Sequence, residues 1–229
     1  MMPLYHVITV DGPVGVGKSA VARQIANELG YRHIDTGAMY RSVTLAAMRQ
    51  GVSLEDPQAL TRLAGECEIQ LVYRDHDLQV LLNGDDVTQA IRQPEVSKNT
   101  SPVADTPGVR KRLVSLQRQL GLRGPSVLEG RDISTVVFPD AFWKFYLEAS
   151  LQERTRRRVL QLQKSGNIQD FEATRRALIR RDERDRSRAY GPLRIASDAI
   201  IIDTTFLEER EVIKLILSFI QAIGAPALP

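Results

Sequence analysis

The tightest constraint on this chain is the run Gly12-Pro13-Val14-Gly15-Val16-Gly17-Lys18-Ser19. It matches the pattern G-x-x-x-x-G-K-[ST]. It stands directly after a β-branched apolar run, Val7-Ile8-Thr9-Val10, and directly before a helical pattern carried by Val21, Ile25 and Leu29. A strand that turns into a helix through such a loop aims its backbone N–H groups inward, where they surround phosphate oxygens. The helix behind adds the positive end of its dipole. Lys18 supplies a point charge for terminal phosphates, and the Ser19 hydroxyl can ligate magnesium. Gly12 to Ser19, with the following Ala20, are therefore the expected site for a nucleotide triphosphate.

Hydrophobic patterning extends this into a fold. Residues 5–10, 31–35, 126–129, 142–147 and 199–203 read as short, largely apolar strands, and helical patterns lie between them. Residues 17–29 and 38–50 read as helices stopped by Gly30 and Gly51. Val109, Leu113, Leu116 and Leu120 mark an amphipathic helix, and Val212, Ile216, Phe219 and Ile220 mark a closing one. This alternation predicts an α/β fold, a parallel five-stranded sheet with helices on both faces. The pattern changes at 68–74 and 78–82, where apolar and polar residues alternate around Arg74-Asp75-His76-Asp77, and Asn83-Gly84 ends the second run. That predicts a hairpin with one solvated face inside an insert spanning 59–105. Residues 151–163 and 170–188 read as arginine-rich helices, and the Ala- and Pro-rich end as a fraying tail.

Composition excludes several function classes. The single cysteine, Cys67, allows no internal disulfide and no Cys/His metal cluster, and reads as a small buried side chain. His6, His33 and His76 are scattered and read as packing or surface residues. A net charge of +3 is too small for a general nucleic-acid binder without a concentrated basic face. No stretch approaches a membrane span and no secretory signal is visible, so a cytoplasmic protein is expected.

The phosphate loop alone leaves the reaction open, and three other charged segments bear on it. In Asp35-Thr36-Gly37-Ala38-Met39-Tyr40-Arg41, Thr36 can cap a helix carrying a solvated Arg41, or the two can form a second phosphate site facing the first. Glu129-Gly130-Arg131-Asp132 closes a buried strand on the ligand side of such a sheet, where Arg131 can fork onto phosphate and Asp132 can accept from an amino group. Arg154, Arg157 and Arg158, with Arg181, Arg184 and Arg188, form stripes on two helices interleaved with Asp182 and Asp185. Such stripes suit locally ion-paired solvated helices, a nucleic-acid patch, or a lid whose guanidinium groups close over a triphosphate. The interleaved acids and the lack of adjacent aromatics favour the lid. No general base for an acceptor hydroxyl is apparent. Transfer onto another phosphate does not need one, since that nucleophile is already ionised.

These segments, with Val136-Val137-Phe138-Pro139-Asp140-Ala141 and Arg181-Asp182-Glu183-Arg184-Asp185-Arg186-Ser187-Arg188, together resemble the bacterial cytidylate kinases over nearly the whole chain. The resemblance implies a P-loop nucleoside monophosphate kinase fold with a small antiparallel insert and a helical lid. It implies a core of 1–58, 106–150 and 189–229, a monophosphate-binding insert of 59–105 and a lid of 151–188. The implied reaction is magnesium-dependent transfer from ATP to CMP or dCMP, giving CDP or dCDP and ADP. Lys18, Arg41, Arg131 and Arg188 would be catalytic. Thr36, Arg41 and Arg131 would hold the acceptor phosphate, and Arg181 would belong to the CMP-binding set. Ser101, Arg110 and Asp132 would read cytosine, Asp185 the ribose, with Arg188 near sugar and phosphates. Arg157 or Arg158 would lie near the donor adenine. A carboxylate at Asp132 welcomes cytosine's amino group and repels uracil's carbonyl, and Arg110 can donate to the ring's acceptors. Thr36 replaces the usual serine but keeps the hydroxyl, and Val14 and Val16 stiffen a loop that binds through its backbone. The competing readings are a kinase of UMP, AMP or shikimate on the same fold, and an RNA binder using the arginine helices. A GTPase switch lacks its N/T-K-x-D segment here. A monomer without a stable nucleic-acid or membrane partner is expected.

Overall fold

In the computed structural model, residues 4–74, 77–164, 166 and 169–223 are described. Asp75 and His76 of the predicted turn and the predicted fraying tail at 224–229 lie outside them. In chain order the elements are β1 (Leu4–Asp11), α1 (Lys18–Leu29), β2 (Arg32–Asp35), α2 (Thr36–Arg49), α3 (Pro57–Glu66), β3 (Ile69–Arg74), β4 (Asp77–Leu82), β5 (Asp85–Asp86), α4 (Pro94–Asp105), α5 (Pro107–Leu122), β6 (Ser126–Gly130), β7 (Ala141–Glu148), α6 (Leu151–Lys164), α7 (Phe171–Ser187), β8 (Ile200–Asp203) and α8 (Glu209–Ile223).

The main sheet is parallel, in the order β2-β6-β1-β7-β8. The predicted strands are therefore present, each within about a residue of its expected ends. Both faces are covered, which is why the strands read as continuous apolar runs rather than alternating ones. Ile8, Val10, Val127 and Phe145 pack with Val21 and Ile25 of α1 and Val212 and Ile216 of α8. On the other face Val7, Ile34 and Leu128 meet Val114 of α5, Phe138 and Ala141. The buried Thr9 hydroxyl donates to the Trp143 carbonyl at 3.2 Å, so that polar side chain is satisfied inside the sheet.

The second sheet is antiparallel, β3-β4-β5. Ile69 pairs with Leu82 and Leu71 with Val80, and this face joins a core built from α2, α3, α4 and α5. Helices α3 and α4 have no counterpart in the sequence reading. Each begins at a proline, Pro57 and Pro94, whose fixed φ suits the first helical turn. The apolar stripe of α3 is only Leu60, Leu63 and Ala64, too short for periodicity to declare itself.

Helix α2 starts earlier than predicted, and its cap is Asp35, not Thr36. The Asp35 carboxylate accepts from Ala38 N at 2.8 Å, leaving Thr36 as the first helical residue. An aspartate fixed by a strand end outcompetes the neighbouring threonine for the same amide.

Candidate active site

Register places the charged residues. Val10 pairs with Glu129 and Asp11 with Gly130, while Asp35 pairs with Glu129 from the other side. The carboxyl ends of β2, β6 and β1 thus finish side by side, at the crevice where open parallel sheets bind ligands. The phosphate loop rises from β1 because Gly12 permits it. Its φ is +149°, and a Cβ there would strike the Leu147 carbonyl of β7.

Within the loop, Lys18 is buried and donates from Nζ to the Pro13 carbonyl at 2.6 Å. Burial, then the charge of Arg131, pulls its pKa well below the ordinary lysine value. The Ser19 hydroxyl donates to Glu129 Oε2 at 2.8 Å. The other carboxylate oxygen, Oε1, is buried without a hydrogen-bond partner and lies 3.4 Å from His33 Nε2. The Thr36 hydroxyl donates to the Glu129 carbonyl at 2.6 Å.

Asp11 builds the opposite wall. Fully buried, its carboxylate accepts from Ile133 N at 3.0 Å, Ser134 N at 2.7 Å and Ser134 Oγ at 2.6 Å. Those bonds fix the start of a π-helical turn at Ile133–Val137, an irregular element frequent at functional sites, immediately after Arg131 and Asp132. Arg131 Nε donates to Asp185 at 2.8 Å, and Arg188 reaches the other oxygen of Asp185 at 2.6 Å. Arg188 also donates to Asp105 at 2.6 Å, tying the end of α7 to the end of α4. Burial opposes the Asp185 charge, but Arg131, Arg188 and Arg181 outweigh it and hold its carboxyl below the usual range. Arg181 is less well matched. Burial first, and Arg131 next, bring it down to about 10, with Arg158 and Arg41 acting in the same sense. Arg41 pairs with Asp35 at 2.8 Å, and its Nε is buried without a hydrogen-bond partner.

Arg110 and Asp132 form a buried ion pair beside this cluster, with Arg110 only 1% exposed. Arg110 also donates to the Ala104 carbonyl at 3.1 Å and lies between the rings of Tyr40 and Tyr190, 5.4 and 6.0 Å away. Burial raises the Asp132 carboxyl above its ordinary value against the pull of Arg110. Ser101 stands half-buried on α4, one turn before Ala104. Of the two candidate adenine contacts, Arg157 is fixed beside the loop by Glu153 at 2.8 Å and by the Thr204 carbonyl at 2.6 Å. Arg158 instead donates to Gln161 at 2.8 Å and contributes its charge near Arg181.

The family model for cytidylate kinase matches residues 8–222. The chain belongs to the cytidylate kinase family. It is 47% identical over 93% of its length to a cytidylate kinase of Syntrophotalea carbinolica, covering 91% of that protein. It is 48% identical to one of Pelotomaculum thermopropionicum, covering 94% of this chain and 96% of that one. An uncharacterized protein from Eubacterium ventriosum shares the fold, with a TM-score of 0.50 at 12% identity over 94% of this chain and 98% of that one.

In this member of the family the sequence reading missed the roles of several residues at the site. Arg154 is buried and bonds Val14 O at 3.3 Å, Ala149 O at 3.1 Å and Asp182 at 2.5 Å, so it joins the loop to both arginine-rich helices. Asp11 and His33 were equally inconspicuous, and Glu129, within the charged segment that closes β6, carried no role of its own. Asp11 and His33 lie inside apolar strands, and only strand register brings them to the crevice. Gly191 carries a φ of +64°, and a Cβ there would meet the Asp132 carboxylate and the Arg110 guanidinium. Tyr190-Gly191 reach that pair because Leu193 N donates to the Asp185 carbonyl at 2.7 Å, folding the chain back along α7. No helix among the described residues is long and apolar enough to cross a membrane.

Proposed function

We propose that the protein transfers the γ-phosphoryl group of ATP to the phosphate of CMP or dCMP, giving ADP and CDP or dCDP. The observation that carries this reading is an unbalanced cation cluster beside the loop. Lys18 and Arg181 are both held below their ordinary pKa, first by burial and then by the charge of Arg131. A fold that crowds cations in this way gains when anionic phosphates enter.

The loop from Gly12 to Ala20 would hold the donor phosphates, and Lys18 would leave the Pro13 carbonyl to reach them. Arg41, Arg131, Arg181 and Arg188 would neutralise the acceptor phosphate and the charge that moves between the two. Thr36 would offer its hydroxyl at the same edge. Asp185 does not need to meet the ribose to matter, since it already orients Arg131 and Arg188. No proton need be abstracted, and catalysis reduces to alignment and charge neutralisation.

Magnesium fits the residues present. The Ser19 hydroxyl and the Glu129 oxygen that accepts no hydrogen bond would supply hard oxygen donors at the loop, and phosphate oxygens would complete the set. When bound, the ion would supply positive charge that offsets the donor phosphates. Cytosine would be read by Arg110 and Asp132, with Ser101 beside them and Arg157 on the donor side. We further propose that 59–105 acts as the monophosphate-binding insert and 151–188 as the lid over a core of 1–58, 106–150 and 189–229. The protein would act as a cytoplasmic monomer.

The test is ADP release measured with CMP, dCMP, UMP, AMP and shikimate as acceptors. CMP or dCMP should give the highest kcat/KM, and a chelator should abolish turnover. A higher kcat/KM with UMP, AMP or shikimate would overturn the assignment.

A further inference from the structure

A cavity of about 440 Å³ opens behind the phosphate loop. Val16, Gly17 and Val21 line it on the loop side, with Arg157, Thr204 and Leu207 opposite. At its edge stands Phe206, 94% exposed. Other exposed large apolar side chains among the described residues, such as Leu122 and Ile201, stay near half-covered at 50% and 51%. A bare phenyl ring is therefore unusual for this surface, and it coincides with the cavity.

The ring is carried on a pinned turn rather than a loose one. Thr205 donates from both N and Oγ1 to Asp203, at 2.8 and 2.5 Å, and Thr204 N donates to the Glu148 carbonyl at 2.8 Å. Arg157 is equally fixed. Its guanidinium is held by Glu153, by Thr204 Oγ1 at 3.0 Å and by the Thr204 carbonyl at 2.6 Å. Two planar groups thus border one cavity adjoining the loop. A flat heterocycle attached through a sugar to phosphates on that loop is a ligand of the right shape.

We propose that Phe206 stacks on the base of the nucleoside triphosphate donor, with the Arg157 guanidinium bounding the same base site. This inference rests on the donor assignment made above and adds a residue that sets donor affinity. A phenyl face reads the ring rather than its edge, so it strengthens binding of any purine triphosphate and contributes nothing to a triphosphate without a base.

Phe206→Ala should raise the KM for ATP about fivefold to tenfold, the lower end of what loss of a base-stacking aromatic costs. The KM for CMP and the inhibition constant of inorganic tripolyphosphate should not move. Phe206→Trp should restore ATP affinity. Its indole should also report binding directly, because Trp143 is only 2% exposed and sits in the sheet core. An ATP KM within twofold of wild type in Phe206→Ala would overturn the proposal. So would an equal weakening of tripolyphosphate, or a Phe206→Trp emission that ignores ATP. If wild-type protein instead failed to phosphorylate any monophosphate, the acceptor assignment would fall. The Phe206→Trp titration would still decide the base site.

Discussion

At the residue scale, the base-reading pair is also a structural pair. Arg110 and Asp132 are buried against each other, so Asp132→Ala does two things. It removes an acceptor for cytosine's amino group, and it leaves a guanidinium buried without its partner. The first should raise the KM for CMP by about 10- to 100-fold, the range for a lost hydrogen bond to a charged group, and erode preference over UMP. The second should cost about 3–5 kcal/mol of stability. Asp132→Asn separates them, because the amide keeps the volume and still accepts from Arg110. A CMP-over-UMP ratio unchanged in both variants would remove Asp132 from base reading. Gly191→Ala probes the same place from the other side. Its positive φ and the collision of a Cβ with Asp132 predict a roughly tenfold higher KM for CMP and an unchanged KM for ATP. Lys18→Ala should differ from both, lowering turnover about 10²- to 10³-fold with every acceptor, the usual cost of losing one preorganised charge donor.

At the element scale, Arg154 and Asp182 join α6 and α7 to each other and to the loop through the Val14 carbonyl. The pair is buried, with the two side chains 8% and 4% exposed. Asp182→Ala should therefore destabilise by about 3–5 kcal/mol, a fall in Tm of roughly 10 °C for a chain of this length. A shift under 2 °C by scanning calorimetry would show the pair to be dispensable. This linkage also marks where sequence stops being readable. The arginine stripes on α6 and α7 are visible in the chain, since helical spacing is local. Which arginine turns inward is not, because Arg154, Arg157 and Arg158 differ only in what α7 and the 204–207 turn place opposite them. The phosphate loop was legible for the same reason in reverse. Its strand, glycines, lysine and helix are contiguous. Asp11 and His33 sit within or at the ends of apolar strands, and only register reveals them; Glu129 stands out as a charge at a strand end, but its contact with Ser19 is long-range. Helices α3 and α4 were missed because their apolar stripes are short and tertiary packing against α2 and α5 completes them.

At the scale of the whole molecule, the charge arrangement should be visible in pH dependence. The chain carries a net charge of only +3, yet the crevice concentrates Lys18, Arg41, Arg131, Arg181 and Arg188. Two of these cations titrate within reach: Lys18 on the donor side, held well below the ordinary lysine value by burial and then Arg131, and Arg181 on the acceptor side, held down to about 10 by burial and then by Arg131. The direction follows from linkage. A cation whose folded pKa is depressed is penalised while charged, so the ligand-free fold bears that penalty in full below about pH 10 and is relieved of it as pH rises from there towards the ordinary arginine value. Phosphate binding needs the charged form and runs the other way. The KM for CMP should hold between pH 8 and 9 and rise as pH passes about 10, while thermal stabilisation by saturating CMP shrinks over the same interval. Arg181→Lys should move that rise, because a lysine in the same surroundings loses its proton at lower pH. A CMP KM that falls with rising pH, or a profile indifferent to Arg181→Lys, would place the acceptor phosphate away from Arg181.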